Sequence, residues 1–343
     1  MNFMLKTQPM LYSLEDITIV SSIVTDIKSR KECNPFRKGI EGQTGFLPVI
    51  ISPMQNVVSE EKWPFFWDCG LSCIIPRTIP EGHTKESWLD KRLELCEKVT
   101  CAFGLQEVEE YFLRTPRDKN KKYFVLIDIA NGTMRAEIDL GKMLKGYYGD
   151  NIVLMGGNIS NPETYLLYDA AGFDFLRCSV GTGSQCLSSV QTGISYPMAS
   201  LIDSISEIKY RYSGHTKIIA DGGLRNFRDL IKCLALGSDY CMIGFQAAKM
   251  AVLPEEKVGD KILFAGMSTK MMQARMGNTT LKTSEGKVSE VEKEYTLAGW
   301  TENFTDYLRS SMSYCDAHNL REFREKAICQ VISPNSSSQI SSK

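Results

Sequence analysis

Short apolar runs recur along the chain, and longer segments of mixed polar and apolar residues separate them. Eight of these runs are nearly continuous in apolar residues, which is typical of strands covered on both faces of a parallel sheet. They lie at residues 48–52, 71–75, 99–104, 123–129, 152–155, 173–176, 217–220 and 240–243. Because segments of helical pattern alternate with them, we predict a (β/α)8 barrel rather than an open doubly wound sheet.

The segments between the runs carry signals for helix ends. Ser160-Asn-Pro-Glu163 predicts a capping box with proline in the first turn, and Gly172 predicts the end of that helix. Asn226 predicts the start of a helix with one apolar face, and Gly237 predicts its end. A closing helix is predicted over residues 305–324.

Residues 252–302 break this rhythm. They follow the eighth run, are polar, and are rich in Lys, Glu, Gly and Thr. In a compact barrel such a segment is either a solvated surface excursion or a flap over the active site. We predict one catalytic domain over residues 1–332 and, because Ser and Asn are frequent there, a disordered tail over residues 333–343.

The composition limits the classes of function. The 40 basic and 41 acidic residues give a formal net charge of −1, so no basic field serves non-specific nucleic-acid binding. The eleven cysteines form no CxxC pair, and the N-terminus lacks a long apolar region, which predicts free thiols in a reducing cytoplasm. The chain has no run of about 18 apolar residues to span a membrane. The three histidines are not spaced as metal ligands.

Candidate chemistry concentrates in residues 178–197. Gly181 and Gly183 let the backbone approach a ligand closely. Ser184 offers a hydroxyl to an anion, Cys186 offers a nucleophile, and Ser188 offers a second hydroxyl. Because this segment follows a predicted strand, we expect it where α/β enzymes place their catalytic loops.

The same segment resembles the active-site loop of the IMP dehydrogenase and GMP reductase family, whose pattern is Gly-x-Gly-Ser-x-Cys-Thr-Thr. The resemblance implies that Cys186 attacks C2 of a purine nucleotide. It also implies that Gly181, Gly183 and the Cys186 carbonyl bind a monovalent cation, for which potassium is the candidate. One departure is Leu187, where the family has Thr.

Two further motifs point to nucleotide binding. Asp221-Gly-Gly223 is read equally well as a tight βα turn or as a ribose and phosphate site. The resemblance implies that Asp221 binds ribose. Residues 283–287 resemble the Ala-Ser-Glu-Gly-Lys of GMP reductases, which implies that Glu285 contacts the purine and pairs with Ser188. The nucleotide contacts implied in all are Ser184, Asp221, Gly222, Gly223, Gly244, Phe245, Gly266, Met267, Ser268, Ser284 and Gly286.

A third set of motifs implies a nicotinamide cofactor. Asp128-Ile-Ala-Asn-Gly132 resembles the Asp-Val-Ala-Asn-Gly that borders the nicotinamide in GMP reductases, whereas IMP dehydrogenases more often have Asp-Ser-Ser-Gln-Gly. The implied cofactor contacts are Ser29, Arg30, Asp128, Ile129, Ala130, Val180, Gly181, Ser310 and Tyr314. The chain has no GxGxxG fingerprint, so the cofactor is not expected to bind in Rossmann fashion.

These motifs resemble GMP reductases more than IMP dehydrogenases. The resemblance implies an NADPH-dependent reduction of GMP to IMP and ammonia by a homotetramer, with Cys186, Ser188 and Glu285 as catalytic residues. Residues 76–98 are too few to hold the regulatory (CBS) repeats that many IMP dehydrogenases insert there. We therefore expect no regulatory domain.

Two alternatives stay open. An IMP dehydrogenase without its regulatory domain would need a water-activating Arg-Tyr pair in the flap, but Met276 follows Arg275 here. A catalytically inactive barrel that binds purine nucleotides is favoured by departures at the phosphate site, where Phe245 and Ala265 replace the family's usual residues. The retained Cys186, Ser188 and Glu285 together count against it.

Overall fold

The protein folds around a closed sheet of parallel strands. This computed structural model describes residues 10–180, 191–266, 269–277, 280–281, 283–284 and 286–341. The strands are β1 (Ile17–Val20), β2 (Val49–Ile51), β3 (Ser72–Cys73), β4 (Cys101–Phe103), β5 (Tyr123–Ile127), β6 (Ile152–Ile159), β7 (Phe175–Cys178), β8 (Lys217–Asp221), β9 (Tyr240–Ile243), β10 (Met250–Ala251), β11 (Lys261–Ala265), β12 (Val288–Glu292), β13 (Tyr295–Thr296) and β14 (Ile328–Val331). Eight of them form one sheet in the order β3-β2-β9-β8-β7-β6-β5-β4.

The two ends of that sheet meet and close the barrel. Ile75, just after β3, bridges in parallel to Cys101 in β4. The Ile75 N–H donates to the Thr100 carbonyl and the Ala102 N–H donates to the Ile75 carbonyl, each at 2.9 Å. The predicted (β/α)8 barrel is confirmed, and all eight predicted runs contain or overlap a barrel strand.

The continuous apolar runs reflect two apolar environments. Ile50, Leu126 and Ile219 belong to a buried cluster that fills the barrel interior. Every barrel strand except β3 contributes one or two residues to it, and Ile74 contributes just after β3. Their strand neighbours, such as Val49 and Ile51, belong to the larger cluster that packs against the helices. Because successive side chains alternate between these two environments, both faces of each strand must be apolar.

The helices surround the barrel. They span Trp63–Asp68, Lys85–Leu95, Leu105–Val108, Arg135–Tyr148, Thr164–Ala171, Met198–Arg211, Phe227–Leu236, Phe245–Ala248, Lys270–Arg275, Leu297–Tyr314, Leu320–Lys326 and Pro334–Ser341, with short 3-10 or π turns at Leu14–Asp16, Arg30–Glu32, Glu109–Arg114 and Gly149–Asn151. Within the described ranges, none of them is long and apolar enough to cross a lipid bilayer.

The helix signals were correct where they were local. The Asn226 side chain accepts from the Asp229 N–H, and Gly237 ends the helix with φ 113°. Gly172 ends its helix with φ 85°, but the capping box predicted at Ser160 is wrong. That helix begins only at Thr164, and the Asn161 side chain instead accepts from the Glu163 N–H in the turn before it.

The C-terminal predictions need two corrections. The predicted closing helix is two helices, Leu297–Tyr314 and Leu320–Lys326. They are separated because Asp316 takes φ 53° and Asn319 caps the second helix by accepting from the Glu322 N–H. The tail, expected to be disordered, contains a helix over Pro334–Ser341, where the Ser337 hydroxyl donates to the Glu15 carbonyl.

The insertion after β9 forms a compact flap. Strands β11 and β12 pair antiparallel, from Lys261 opposite Glu292 to Ala265 opposite Val288. A short helix, Lys270–Arg275, lies between them in the chain. In the interval expected to lack regulatory repeats, the chain forms only a βα connection with the helix Lys85–Leu95.

Candidate active site

Three charged side chains meet at the edge where the barrel strands end; we call Asp128, Arg177 and Asp221 the rim cluster. Asp128 follows β5, Arg177 lies in β7, and Asp221 ends β8. Arg177 Nη1 lies 3.0 Å from Asp128 Oδ1, and Arg177 Nε lies 2.9 Å from Asp221 Oδ2. In (β/α)8 enzymes this edge of the barrel carries the active site.

The rim cluster is largely removed from water. The exposed fraction of the side chain is 11% for Arg177 and 11% for Asp221, and 19% for Asp128. Burial opposes the charge of Arg177, but the carboxylates of Asp221 and Asp128 outweigh it and raise the arginine pKa. The guanidinium therefore stays charged and fixes the orientation of both carboxylates.

Neighbouring strands add two polar groups to the cluster. Asn158 in β6 donates from Nδ2 to Asp221 Oδ2 at 2.7 Å. Arg77, after β3, donates from Nη1 to the Asp128 carbonyl at 3.0 Å. None of the sequence motifs predicts Arg177, Asn158 or Arg77 as site residues. Arg177 did carry a signal, since it is a charged residue next to an apolar strand, but the predicted strand stopped at Leu176.

The turn after Asp221 presents backbone rather than side chains. Gly222 and Gly223 have φ 96° and 76°, in the left-handed region that glycine adopts without strain. A ligand can therefore approach the backbone N–H groups of this turn closely. The arrangement suits an anion beside the carboxylate of Asp221.

The neighbouring strand end explains how the chain accommodates Phe245. Gly244 lies so close to Met54 that a Cβ there would be 2.7 Å from Met54 Sδ. The half-buried Phe245 ring packs edge-on against Phe264 of β11, with 5.9 Å between ring centroids. The bulky ring is thus used to hold the base of the flap.

The flap contacts the loops that follow β2 and β3. The Ile79 N–H donates to the Arg275 carbonyl at 2.7 Å, and Asn56 Nδ2 donates to the Leu263 carbonyl. Near the flap base the Gly266 N–H donates to the Lys287 carbonyl at 2.9 Å. An open cleft of 490 Å³ lies between the flap helix and these loops, lined by Gln55, Ile79, Pro80, Glu81, Gly82, His83, Ala274 and Arg275. The flap thus packs on the loops that follow β2 and β3, at the strand-end side of the barrel.

Ser284 and Gly286, two predicted nucleotide contacts, lie in the returning segment of the flap. The Ser284 hydroxyl donates to the Gly286 carbonyl at 3.1 Å. The two residues are therefore in direct contact.

The predicted cofactor contacts fall into two groups. Ile129 and Val180 are half-buried and Ala130 is exposed, and all three follow barrel strands beside Asp128 or Arg177. The second group comprises Ser29 and Arg30, in the chain just before Lys31, and Ser310 and Tyr314, on the helix Leu297–Tyr314. Within it Arg30 Nη1 lies 3.3 Å from Ser310 Oγ, and Arg30 Nη2 lies 2.9 Å from Asp306 Oδ2.

The other members of the second group are engaged differently. The Ser29 side chain accepts from the Lys31 N–H and so caps a 3-10 turn. Tyr314 is 67% exposed, and its backbone carbonyl accepts from the Ser22 N–H. Among the described residues, no hydrogen bond or ion pair joins this group to the rim cluster.

Several predicted residues lie outside the described part of the chain. They are Gly181, Gly183, Ser184, Cys186, Ser188, Met267, Ser268 and Glu285. The described chain before residue 181 continues beyond β7, where the Ser179 N–H donates to the Ile159 carbonyl at 2.8 Å. In the described ranges, no cluster of His, Cys, Asp and Glu could hold a metal ion.

The described thiols occupy buried or half-buried positions. Burial raises the pKa of Cys178, which follows Arg177 in β7. The ten described cysteines are free, and each is buried or half-buried: Cys33, Cys69, Cys73, Cys96, Cys101, Cys178, Cys233, Cys241, Cys315 and Cys329. Buried thiols in apolar surroundings are poor nucleophiles.

Comparison with known proteins identifies the fold family. The family model "IMP dehydrogenase / GMP reductase domain" matches residues 86–342. The chain belongs to this IMP dehydrogenase/GMP reductase family. The matched segment includes the whole rim cluster and the flap, so this geometry lies in the part of the chain that carries the family likeness.

Curated relatives in the family cover nearly the whole chain. A GMP reductase of Staphylococcus carnosus is 26% identical over 92% of this chain and 94% of its own length. A GMP reductase of Shouchella clausii is 27% identical over 92% of this chain and 93% of its own length. A GMP reductase of Bacillus subtilis is 26% identical over 92% and 94%.

Proposed function

We propose that this protein is a GMP reductase that converts GMP to IMP and ammonia with NADPH as reductant. The rim cluster is the observation that carries the proposal. One buried guanidinium binds both Asp221, the proposed ribose ligand, and Asp128, the proposed neighbour of the nicotinamide. The cluster supports the proposal because it joins the two proposed ligands at the strand ends, where hydride transfer would require the nucleotide and the cofactor to lie side by side. The names of the relatives support the same reaction.

The nucleotide is proposed to bind with its sugar on Asp221 and its phosphate on backbone N–H groups. Gly223 and Gly244, with the Ser184 hydroxyl, are the proposed phosphate donors. Because the net charge is −1, phosphate recognition has to come from such local donors. Ser268 and Gly266 are proposed to support the nucleotide from the base of the flap.

The chemistry is proposed to start at Cys186. Its thiolate attacks C2 of the purine, and Ser188 with Glu285 delivers a proton so that the 2-amino group leaves as ammonia. The product of this step is a thioimidate between Cys186 and C2. The loop motif supports Cys186 as this nucleophile, and eight of the ten other cysteines are buried, where thiols are poor nucleophiles.

The residues present fit a nicotinamide cofactor. Asp128, Ile129, Ala130 and Val180 are proposed to border its nicotinamide, while Arg30 and Ser310 offer donors for a 2′-phosphate. Bound there, NADPH would supply a hydride to C2, and the Cys186 thiolate would then leave as the product IMP forms. A potassium ion on the Gly181 and Gly183 carbonyls, with that of Cys186, is proposed to hold the loop.

A trapping experiment tests the covalent step without turnover. The protein is incubated with GMP and no NADPH, quenched and digested. The mass of the peptide that contains Cys186 is then measured by mass spectrometry. We expect the added mass of GMP less ammonia, and its loss in Cys186→Ala but not in the matched control Cys69→Ala. Absence of any adduct, or an adduct that persists in Cys186→Ala, would overturn the assignment of the nucleophile.

A further inference from the structure

A buried acid and a buried tyrosine lie behind the rim cluster, and the reaction described above does not use them. Glu137 has no exposed surface and lies on the helix Arg135–Tyr148. Tyr168, also fully buried, lies on the next helix, Thr164–Ala171. Tyr168 Oη lies 2.6 Å from Glu137 Oε2, and the Gly157 N–H donates to Glu137 Oε1 at 3.1 Å.

The tyrosine has a second short contact that decides the protonation of the acid. Tyr168 Oη also lies 2.7 Å from the Gly132 carbonyl oxygen. A carbonyl oxygen can only accept, and a phenol has a single proton to donate. Both contacts are hydrogen bonds only if Tyr168 donates to Gly132 and a protonated Glu137 donates to Tyr168. An ionised Glu137 would leave one of two buried oxygen contacts without a proton.

The surroundings favour the same protonation state. Burial raises the pKa of Glu137 to about 7, against the opposing hydrogen bonds from Tyr168 and the Gly157 N–H. Of the nearby charges, Arg177 acts to lower that pKa and Asp128 acts to raise it. Burial, followed by the proximity of Glu137, raises the pKa of Tyr168, which therefore keeps its proton.

The backbone is shaped around this pair. A Cβ on Gly156 would lie 2.6 Å from the Tyr168 ring and 2.7 Å from Glu137 Oε1, so only glycine leaves them room. A Cβ on Gly132 would lie 2.7 Å from the Gly157 Cα. The turn that contains Gly132 therefore lies directly on the end of β6, and the Gly132 N–H donates to the Asn158 carbonyl at 2.9 Å.

We propose that neutral Glu137 and Tyr168 form a proton-dependent tie between the cofactor side and the nucleotide side of the active site. The tie joins Gly132, at the end of the Asp128 turn, to Gly157. Next to Gly157, Asn158 donates to Asp221. Glu137 is thus a positioning residue, and the names of the ligands on the two sides rest on the proposed function.

Loss of the Glu137 proton has a defined consequence. The single Tyr168 proton turns to the carboxylate, so the buried Gly132 carbonyl loses its donor. The turn from Asp128 to Gly132 is then held by one hydrogen bond fewer, and cofactor affinity falls. We expect the KM for NADPH to rise by about tenfold between low and high pH, which is the scale of one net hydrogen bond.

Three variants test the tie. Glu137→Gln presents an amide that donates to Tyr168 at every pH, so the KM for NADPH should stay flat from pH 6 to 9. Tyr168→Phe removes the donor to Gly132 and should give the high KM at every pH. Glu41→Gln is the matched control. Its acid also has a pKa raised by burial to about 7, but it binds Thr100, just before β4 at the opposite end of the barrel.

A readout without turnover separates this inference from the proposed function. Infrared difference spectra between pH 6 and 9 should show loss of a protonated-carboxyl band that Glu137→Gln lacks and Glu41→Gln keeps. If the protein does not reduce GMP yet shows that band, the proposed function fails and the protonation of Glu137 stands. Absence of the Glu137 band, or a pH-dependent KM that Glu137→Gln leaves unchanged, would overturn the inference.

Discussion

Removal of the Arg177 guanidinium tests the rim cluster most severely. Arg177→Met keeps the bulk of the side chain but leaves Asp128 and Asp221 without their shared partner. Removing one partner of a buried ion pair costs about 3–5 kcal/mol. Because these carboxylates are 19% and 11% exposed, water reaches them in part, and we expect the low end, about 3 kcal/mol at pH 7.

Urea unfolding measures this loss as a change in the free energy of unfolding. Arg177→Lys should recover part of the loss by pairing with one of the two carboxylates. The control Arg211→Met breaks a pair whose side chains are 62% and 66% exposed, and it should change stability by less than about 0.5 kcal/mol. A stability loss in Arg177→Met no larger than that of the control would refute the reasoning.

Three smaller predictions follow. Asp221→Ala should weaken GMP binding by about 2–3 kcal/mol in calorimetry, and equal wild-type affinity for the 2′-deoxynucleotide would contradict a ribose contact. Asp306→Asn should improve the KM for NADPH by about threefold and leave that for NADH unchanged, because the exposed Arg30 loses a competing anion. Wild-type stability should fall between pH 4.5 and 7 by about 3 kcal/mol more than that of Glu137→Gln, since the folded state holds this proton.

The sequence predicted what depends on nearby residues. The barrel strands appear as continuous apolar runs because each strand has two apolar faces. Asn226 and Gly237 mark the two ends of the helix between them. The break at Asp316 could not be read in this way, since its positive φ has no glycine to signal it. The helix that begins at Pro334 could not be predicted in this way either, because it contacts the chain near Glu15, which is distant in sequence.

The candidate site was predictable only where a motif names it. Asp128 and Asp221 were expected from short motifs. Their shared ion-pair partner, Arg177, is placed by the register of β7 against β8, and this register cannot be derived from the sequence alone. Glu137 and Tyr168 are farther still from any motif. They meet because two consecutive helices pack on the same strand end. From the sequence alone, a Glu in a helix is predicted to be exposed to solvent.

Product analysis with both substrate pairs tests the central claim most directly. With GMP and NADPH, we predict that IMP, ammonia and oxidised cofactor form in equal amounts. With IMP and NAD, we predict little or no XMP, because Met276 occupies the position where a dehydrogenase needs the tyrosine of its Arg-Tyr pair. Cys186→Ala should abolish the first reaction. Abundant XMP from IMP and NAD, with no NADPH oxidation by GMP, would contradict the account.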